Sequence, residues 1–211
     1  MHKATLFVTA LCCSFSVSAK EGWEASFGLG GALNLQESIT IKMDNGERIE
    51  SNSVSLNTKP FNSPPYYNLR TGYWKDDTAW EVEFIHHKLY ANASDLDDRV
   101  QNFEITDGYN LLYLNYAAVY TQGWNVRAGF GVVVIPHPDV TVDNQRSHGG
   151  YQLGGVTTQL ALEREFVVSD SVLFSLEGKV TYSYAEIDLD YGKATVPNTA
   201  LHLLGQFKFR L

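Results

Sequence analysis

The chain has 211 residues, with 24 Asp and Glu against 16 Lys and Arg and a formal net charge of -8 at pH 7. Its length suits a single domain, and such an acidic chain is a poor candidate for nucleic-acid binding. The two cysteines, Cys12 and Cys13, both lie near the N-terminus, so the remainder offers no disulfide, thiolate nucleophile or cysteine-bound metal.

The N-terminal segment predicts export. Met1 to Lys3 precedes a short apolar stretch from Ala4 to Val17, and the small residues Ser18 and Ala19 precede Lys20. This order is typical of a secretory signal peptide, here residues 1–19, cleaved after Ala19 to leave a mature barrel of residues 20–211. The apolar stretch is shorter than the roughly 20 residues of a membrane-spanning helix. Cleavage removes Lys3 and no acid, so the net charge falls from -8 to -9.

The rest of the chain alternates between apolar and polar side chains. In 80–91, Trp80, Val82 and Phe84 share one face, while Glu81 and Glu83 share the other. A period of two predicts a β-strand, and an apolar face bounded by aromatic residues and backed by a polar face is typical of a transmembrane barrel. Eight such strands are predicted, at 22–36, 66–74, 80–91, 108–121, 124–135, 151–166, 172–185 and 199–211.

The connections between these strands alternate in length. Long polar segments are predicted at 38–57, 92–107, 136–150 and 186–198, and short turns at 75–77, 122–123 and 169–171. The pattern predicts an all-β fold, an eight-stranded up-and-down transmembrane outer-membrane β-barrel with its long loops outside the cell. A soluble lipocalin-like barrel is the rival fold, and it would carry its apolar face inside. Trp23, Trp80 and Trp124, at the periplasmic ends of upward strands, favour the membrane barrel.

This fold carries further expectations. The protein should lie in the cell outer membrane as a monomer, inserted by the barrel-assembly machinery, and it should contact outer-membrane lipid. Charged side chains of inward parity should meet in the lumen: Glu81, Glu83, Glu163 and Glu177 with Arg70, Arg127, Lys179, Lys208 and Arg210. Ion pairs that fill a narrow lumen are the simpler interpretation, and acid/base chemistry or ion passage is the alternative.

Histidines form the second candidate site. His87, His137 and His202 share inward parity and lie toward the loop side of their strands. Neutral imidazoles with a carboxylate such as Glu83 or Asp139 are ligands for a divalent transition metal, and an imidazole can also act as a general base. The simpler interpretation is a set of separate rim histidines bound to water or backbone.

Two further observations concern these histidines. Pro136 and Pro138 hold His137 in an extended backbone. His86 has the opposite parity, which predicts an interface residue facing lipid, and His148 falls in the third loop.

Four segments carry a resemblance: FIHHKLYA at 84–91, DGYNLLYLN at 107–115, GFGVVVIPHPDV at 129–140 and GGYQLGG at 149–155. They resemble a group of small outer-membrane barrels that includes the lipid A oxidases, which convert the proximal glucosamine of lipid A to aminogluconate using oxygen. The resemblance covers about half of the mature chain. It implies a lipopolysaccharide substrate in the outer leaflet and a metal.

Two functions therefore remain open. In the first, the protein is a lipid A-modifying enzyme. The predicted site residues are, for catalysis, His87, His137, His202 and Glu83; for substrate binding, Arg70, Asn110 and Tyr113; and for the metal, His87 and His137. In the second, it is a non-enzymatic barrel of the OmpX/OmpA type with surface-binding extracellular loops. A hydrolase or acyltransferase is disfavoured, because no rim motif presents an obvious pair of serine nucleophile and histidine base.

Overall fold

The computed structural model describes residues 19–147 and 149–211, so the predicted signal residues 1–18 and His148 lie outside the described part. Fifteen strands are described: β1 Gly22–Asn34, β2 Glu37–Met43, β3 Arg48–Val54, β4 Leu56–Asn57, β5 Tyr67–Lys75, β6 Thr78–His86, β7 Leu89–Ala91, β8 Val100–Ile105, β9 Asn110–Thr121, β10 Trp124–Ile135, β11 Asp139–Val142, β12 Gln145–Arg146, β13 Gln152–Val167, β14 Val172–Leu189 and β15 Gly192–Arg210. One 3₁₀ turn, Ala93–Asp95, precedes β8. Within the two described ranges, no helix is long and apolar enough to cross a membrane.

Eight of these strands close into an antiparallel barrel, as predicted. Their order is β1-β5-β6-β9-β10-β13-β14-β15, and β15 pairs back with β1. A row of paired residues that leaves β1 at Trp23 passes through Trp80 on β6 and returns to β1 ten residues further along, at Leu33. This shift of ten residues fixes the tilt of the strands and gives a narrow barrel whose lumen is filled by side chains.

The two faces of the barrel wall are also as predicted. Outward residues are apolar and exposed, among them Leu114, Phe130 and Leu203, and inward residues are polar and buried, among them Glu83 and Gln159. The aromatic residues Trp23, Tyr73, Trp80 and Tyr116 form a girdle at the lower edge of this apolar belt. An apolar belt bounded by aromatic side chains is the surface of a barrel that spans a bilayer.

Two predicted boundaries are wrong. The 186–198 segment is not a loop, because β14 continues to Leu189 and β15 begins at Gly192. Ile187 and Val196 lie beyond the predicted ends of the last two strands, and both point inward and are fully buried. The predicted strand 80–91 is broken after His86, and Leu89–Ala91 pairs with β4 and β8 outside the barrel wall.

The long connections fold into an extracellular part of the molecule that we call the head, comprising residues 35–66, 87–109, 136–151 and 186–198. The β2–β3 hairpin, with its turn at Asp44–Gly46, pairs with the upper part of β15. Strands from three different connections form a second sheet in the order β12-β11-β8-β7-β4. The two predicted polar loops 92–107 and 136–150 therefore each contribute strands to one sheet.

An apolar core holds the head together. It includes Ile39 and Ile41 of the hairpin, Phe103 of β8, Val140 of β11 and Ile187 of β14, all of them buried. Arg99 ties the outer ends together, because its guanidinium bonds Asp143 at 2.6 Å and Glu47 at 3.2 Å. The hydrogen bonds from Arg99 lower the pKa of the Asp143 carboxyl. The head is thus a packed unit that continues the barrel above the membrane.

Candidate functional site

The lumen contains a network of buried ion pairs that we call the plug. Its members are four cations, Arg70, Arg127, Lys179 and Lys208, and four carboxylates, Glu81, Glu83, Glu163 and Glu177. Because the strands alternate, each of these residues points inward, and these eight formal charges balance; toward the end of the barrel near the short turns, Lys208 also pairs with Glu24 and Glu165, which Lys20 contacts as well. The ninth predicted member, Arg210, instead lies exposed at the periplasmic end, with Nε 3.8 Å from Glu24.

Glu83 lies near the centre of the plug and is fully buried. Its Oε1 accepts hydrogen bonds from Asn68 at 2.7 Å and from Lys179 at 2.5 Å. Its Oε2 accepts from Asn115 at 3.0 Å and from Gln159 at 2.6 Å. A carboxylate with so many donors is fixed in its charged form and has no free lone pair for a substrate proton.

Arg70 bonds Glu177 at 2.6 Å and Glu163 at 2.9 Å within the same network. Tyr113, also buried, shares a 2.6 Å hydrogen bond with Thr157. The geometry around Arg70 and Tyr113 is therefore that of a lumen filled by side chains, and the cavity beside Arg70 has a volume of only about 10 Å³.

Above the plug, the structure brings together two of the three predicted histidines. The rings of His87 and His202 lie 5.2 Å apart between centroids, edge to face. His202 bonds Tyr66 Oη at 2.7 Å through Nδ1 and Thr181 Oγ1 at 2.9 Å through Nε2, and His87 Nε2 bonds Thr58 Oγ1 at 3.2 Å. Sequence reasoning did not identify Tyr66 or Thr58, because both come from the long first connection, which folds back into the top of the lumen.

His137 is not part of this pair. It lies exposed at the outer rim, in the left-handed backbone region at φ 42° rather than the extended one expected from its prolines. Its Nδ1 bonds the carbonyl oxygen of Gly149 at 3.0 Å, and its ring packs edge to face on Tyr151. Among the described residues, no group of three or more His, Cys, Asp or Glu side chains is arranged to hold a metal ion.

A second polar cluster lies on the outside of the barrel wall, at the upper edge of the apolar belt. It centres on His86, which is 5% exposed although its parity predicted contact with lipid. The imidazole stacks on Tyr67, with ring centroids 5.1 Å apart, and Nδ1 bonds Asn110 Oδ1 at 2.8 Å. These three side chains come from the ends of the adjacent strands β5, β6 and β9. Asn110 was predicted to bind substrate, but its polar neighbours were not predicted.

Two lysines lie beside this histidine. Lys88 is fully buried, and its Nζ donates to the carbonyl oxygen of Asn62 at 2.8 Å. The Nζ of Lys59 lies 3.9 Å from the centre of the Tyr90 ring, and that of Lys88 lies 5.7 Å from it. Burial lowers the pKa of Lys88, and the charge of Lys59 lowers it further. We call Lys59, Tyr67, His86, Lys88 and Asn110 the rim cluster.

The head carries nearly all of the net negative charge of the chain. Its four segments contain 14 Asp and Glu and seven Lys and Arg, a net charge of -7, against -8 for the whole chain. The plug is neutral, and the lipid-facing belt is apolar. The charge available to a partner in solution is therefore concentrated outside the cell.

The comparisons with known proteins concern the fold. No protein-family model matches the chain, and no curated protein matches it in sequence. The solid-state NMR structure of outer membrane protein AlkL in lipid bilayers is similar, with a TM-score of 0.53 and 14% identity, over 100% of this chain and 98% of that one.

Two further solved structures are similar at lower scores. Outer membrane protein OprG from Pseudomonas aeruginosa has a TM-score of 0.47 and 15% identity, over 92% of this chain and 98% of that one. Ail, the attachment invasion locus protein of Yersinia pestis, in complex with the heparin analogue sucrose octasulfate, has a TM-score of 0.43 and 14% identity, over 89% and 99%.

The similarity to AlkL shows the fold, an outer-membrane β-barrel. Together with the exposed apolar belt, this fold places the protein in the outer membrane.

Proposed function

We propose that this protein is a non-enzymatic surface-binding barrel, in which the transmembrane part anchors the head and the head binds a cationic partner outside the cell. The observation that supports this function is the second sheet, built from three separate connections around its own apolar core. A barrel needs no such sheet to remain in the membrane. A rigid surface costs little conformational entropy when it binds, which is what a recognition surface requires.

The rest of the molecule supports the same proposal. The plug fills the lumen below the head, and the head core fills it above, so a polar solute has no path through the barrel. Glu83, His87 and His202, which were predicted to be catalytic, lie on the lumenal side of the closed barrel wall, buried between these two regions, whereas an outer-leaflet lipid contacts the outer side of the wall. Their hydrogen bonds to neighbouring side chains agree with a structural role.

Neutralising exposed head acids should weaken binding of a cationic ligand. The test uses the barrel in phosphatidylcholine nanodiscs and a lysine-rich peptide as probe. Asp44 and Asp98 are exposed, so Asp44→Asn with Asp98→Asn should leave the fold intact, reduce affinity about threefold and flatten its salt dependence. The matched control is Asp76→Asn with Asp170→Asn, two exposed acids at periplasmic turns. Equal binding by the two variants, or no binding by the wild type, would contradict the proposal.

Lipid A modification at the outer leaflet is the second candidate, and His137 is the observation that favours it. Of the four predicted catalytic residues, it alone is exposed. Its Nδ1 is held by the Gly149 carbonyl, so Nε2 is left without a protein partner among the described residues. A fixed imidazole with one free nitrogen can move a proton for a substrate that approaches along the rim.

The second candidate predicts a change in lipid A that depends on His137. Mass spectrometry of lipid A should show a modified species in cells that express the wild type and none in cells that express His137→Ala. Unheated and heated samples compared on gels would verify that the variant barrel still assembles. Lipid A that is identical with and without the wild-type gene would leave only the surface-binding function.

A further inference from the structure

The rim cluster contains buried polar groups without the partners that such groups normally have. Lys88 has no exposed surface, and within the described residues its ammonium has no carboxylate within ion-pair distance, only the Asn62 carbonyl. His86 Nε2 is buried and has no hydrogen-bond partner among residues 19–147 and 149–211. A buried charge without a counter-ion and a buried nitrogen without a partner each destabilise a folded protein.

The same cluster concentrates positive charge on an otherwise acidic protein. The ammonium groups of Lys59 and Lys88 lie on one aromatic ring, that of Tyr90, and so are no more than about 10 Å apart. Lys59 also has no carboxylate partner in the described part of the chain. Lys88 and the exposed Asp107 are charged neighbours of the His86 imidazole. Two ammonium groups against one carboxylate leave a net positive site.

The height of the cluster is that of a lipid headgroup. Leu29 shares a row of paired residues with Tyr67 and His86, and it lies six residues above Trp23 on β1. Six residues at a rise of about 3.3 Å each, on a strand tilted near 40°, account for most of the height difference. The row of paired residues also rises as it crosses two further strands, so His86 lies about 20 Å above Trp23. The apolar band of such barrels is about 25 Å tall, so His86 lies near its outer edge. Immediately below it on β6 are the lipid-facing Phe84 and Val82.

We propose that the rim cluster binds the phosphomonoester headgroup of an outer-leaflet lipid, with Lys59 and Lys88 pairing with the phosphate and His86 Nε2 hydrogen-bonding to the headgroup. The phosphate supplies the counter-ion that Lys88 lacks. Nε2 accepts from a headgroup hydroxyl when the ring is neutral and donates to the phosphate when it is protonated. The site is bounded on one side by the exposed segment 61–65, whose Asn62 carbonyl oxygen accepts the hydrogen bond from Lys88. Neither candidate function requires this site.

The test compares lipids that differ only in the phosphate. The wild-type barrel, in phosphatidylcholine nanodiscs doped with phosphatidic acid or with diacylglycerol, is released from its lipids stepwise, and the bound lipid is counted by native mass spectrometry. We expect phosphatidic acid to be retained at least tenfold more strongly than diacylglycerol or phosphatidylcholine. Lys59→Met with Lys88→Met should remove this preference, and His86→Phe should reduce it several-fold.

The matched control is Lys42→Met with Lys193→Met, two exposed head lysines whose loss changes the net charge by the same amount. This control should retain phosphatidic acid as the wild type does. If substitution of the buried Lys88 prevents folding, the single variant Lys59→Met, at an exposed position, is used instead. Equal retention of phosphatidic acid and diacylglycerol by the wild type would overturn the proposal. Displacement of the lipid by millimolar inorganic phosphate would assign the site to a free anion instead.

Discussion

Glu83→Leu should cost about 3–5 kcal/mol of the free energy of unfolding, the loss typical when one partner is removed from a buried ion pair. The substitution leaves Lys179, 2.5 Å from the lost carboxylate, with Glu177 as its one remaining acid, and leaves the plug with one uncompensated positive charge. It also removes an acceptor from Asn115 and from Gln159, which keeps only its hydrogen bond to Asn115 Oδ1. Urea unfolding of the barrel in lipid bilayers measures the difference.

Glu186→Leu is the matched control for this substitution. Glu186 also forms an ion pair, 2.9 Å from Lys193, but the side chains of both residues are half exposed in the head. Exposed pairs contribute about 0–1 kcal/mol, so this variant should unfold almost as the wild type does. A cost below 1 kcal/mol for Glu83→Leu would mean that water reaches the plug and screens it.

A second substitution in the same chain distinguishes two causes of the lost stability: the ammonium group left without its carboxylate and the change in side-chain volume at position 83. Adding Lys179→Met to Glu83→Leu removes the stranded ammonium, so part of the lost stability should return. No recovery would mean that Lys179 finds full compensation from Glu177 at 2.9 Å. The plug thus acts as a structural element that fixes the lumen, and this is the reason for placing function outside it.

The barrel itself could be predicted because its signal is local. The alternation of Trp80, Glu81, Val82 and Glu83 decides which side chain faces lipid, and no distant part of the chain changes that. The pairing of His87 with His202 followed from their common parity and height. The same argument from parity and height was wrong for His137, because β10 ends at Ile135 and the following residues turn outward onto the rim.

The head and the rim cluster could not be predicted in the same way, because they depend on contacts between distant connections. The sequence predicts polar loops at Val100–Ile105 and Asp139–Val142, and these segments form a sheet only because they pair with each other. Lys88 is buried and donates to the Asn62 carbonyl oxygen of another connection, so no local pattern marks it as covered. In the sequence, the only indication of the rim cluster is the run of basic residues His86, His87 and Lys88. The strand alternation places His86 and Lys88 on one face of the wall and His87 on the other, so the run does not predict a single site.

The packing of the head can be tested at its centre. Phe103 of β8 is 1% exposed and pairs with Val140 of β11, so it joins strands from two different connections. Phe103→Ala should cost about 3–5 kcal/mol, the sum of lost apolar burial and the cavity left behind. Because the barrel wall has its own hydrogen-bonded strands and its own plug, the loss should fall on the head and leave the barrel closed.

Limited proteolysis of the barrel in nanodiscs distinguishes this outcome from general unfolding. In the Phe103→Ala variant, cleavage between 92 and 107 and between 136 and 150 should accelerate, while the fragments should still migrate together as a closed barrel in unheated gels. Phe61→Ala is the matched control, because Phe61 is 90% exposed and its ring contributes little to the apolar core. Equal cleavage of the two variants would mean that the head is held by its strand pairing alone. In that case the head would lack the rigidity on which the proposed surface-binding function depends.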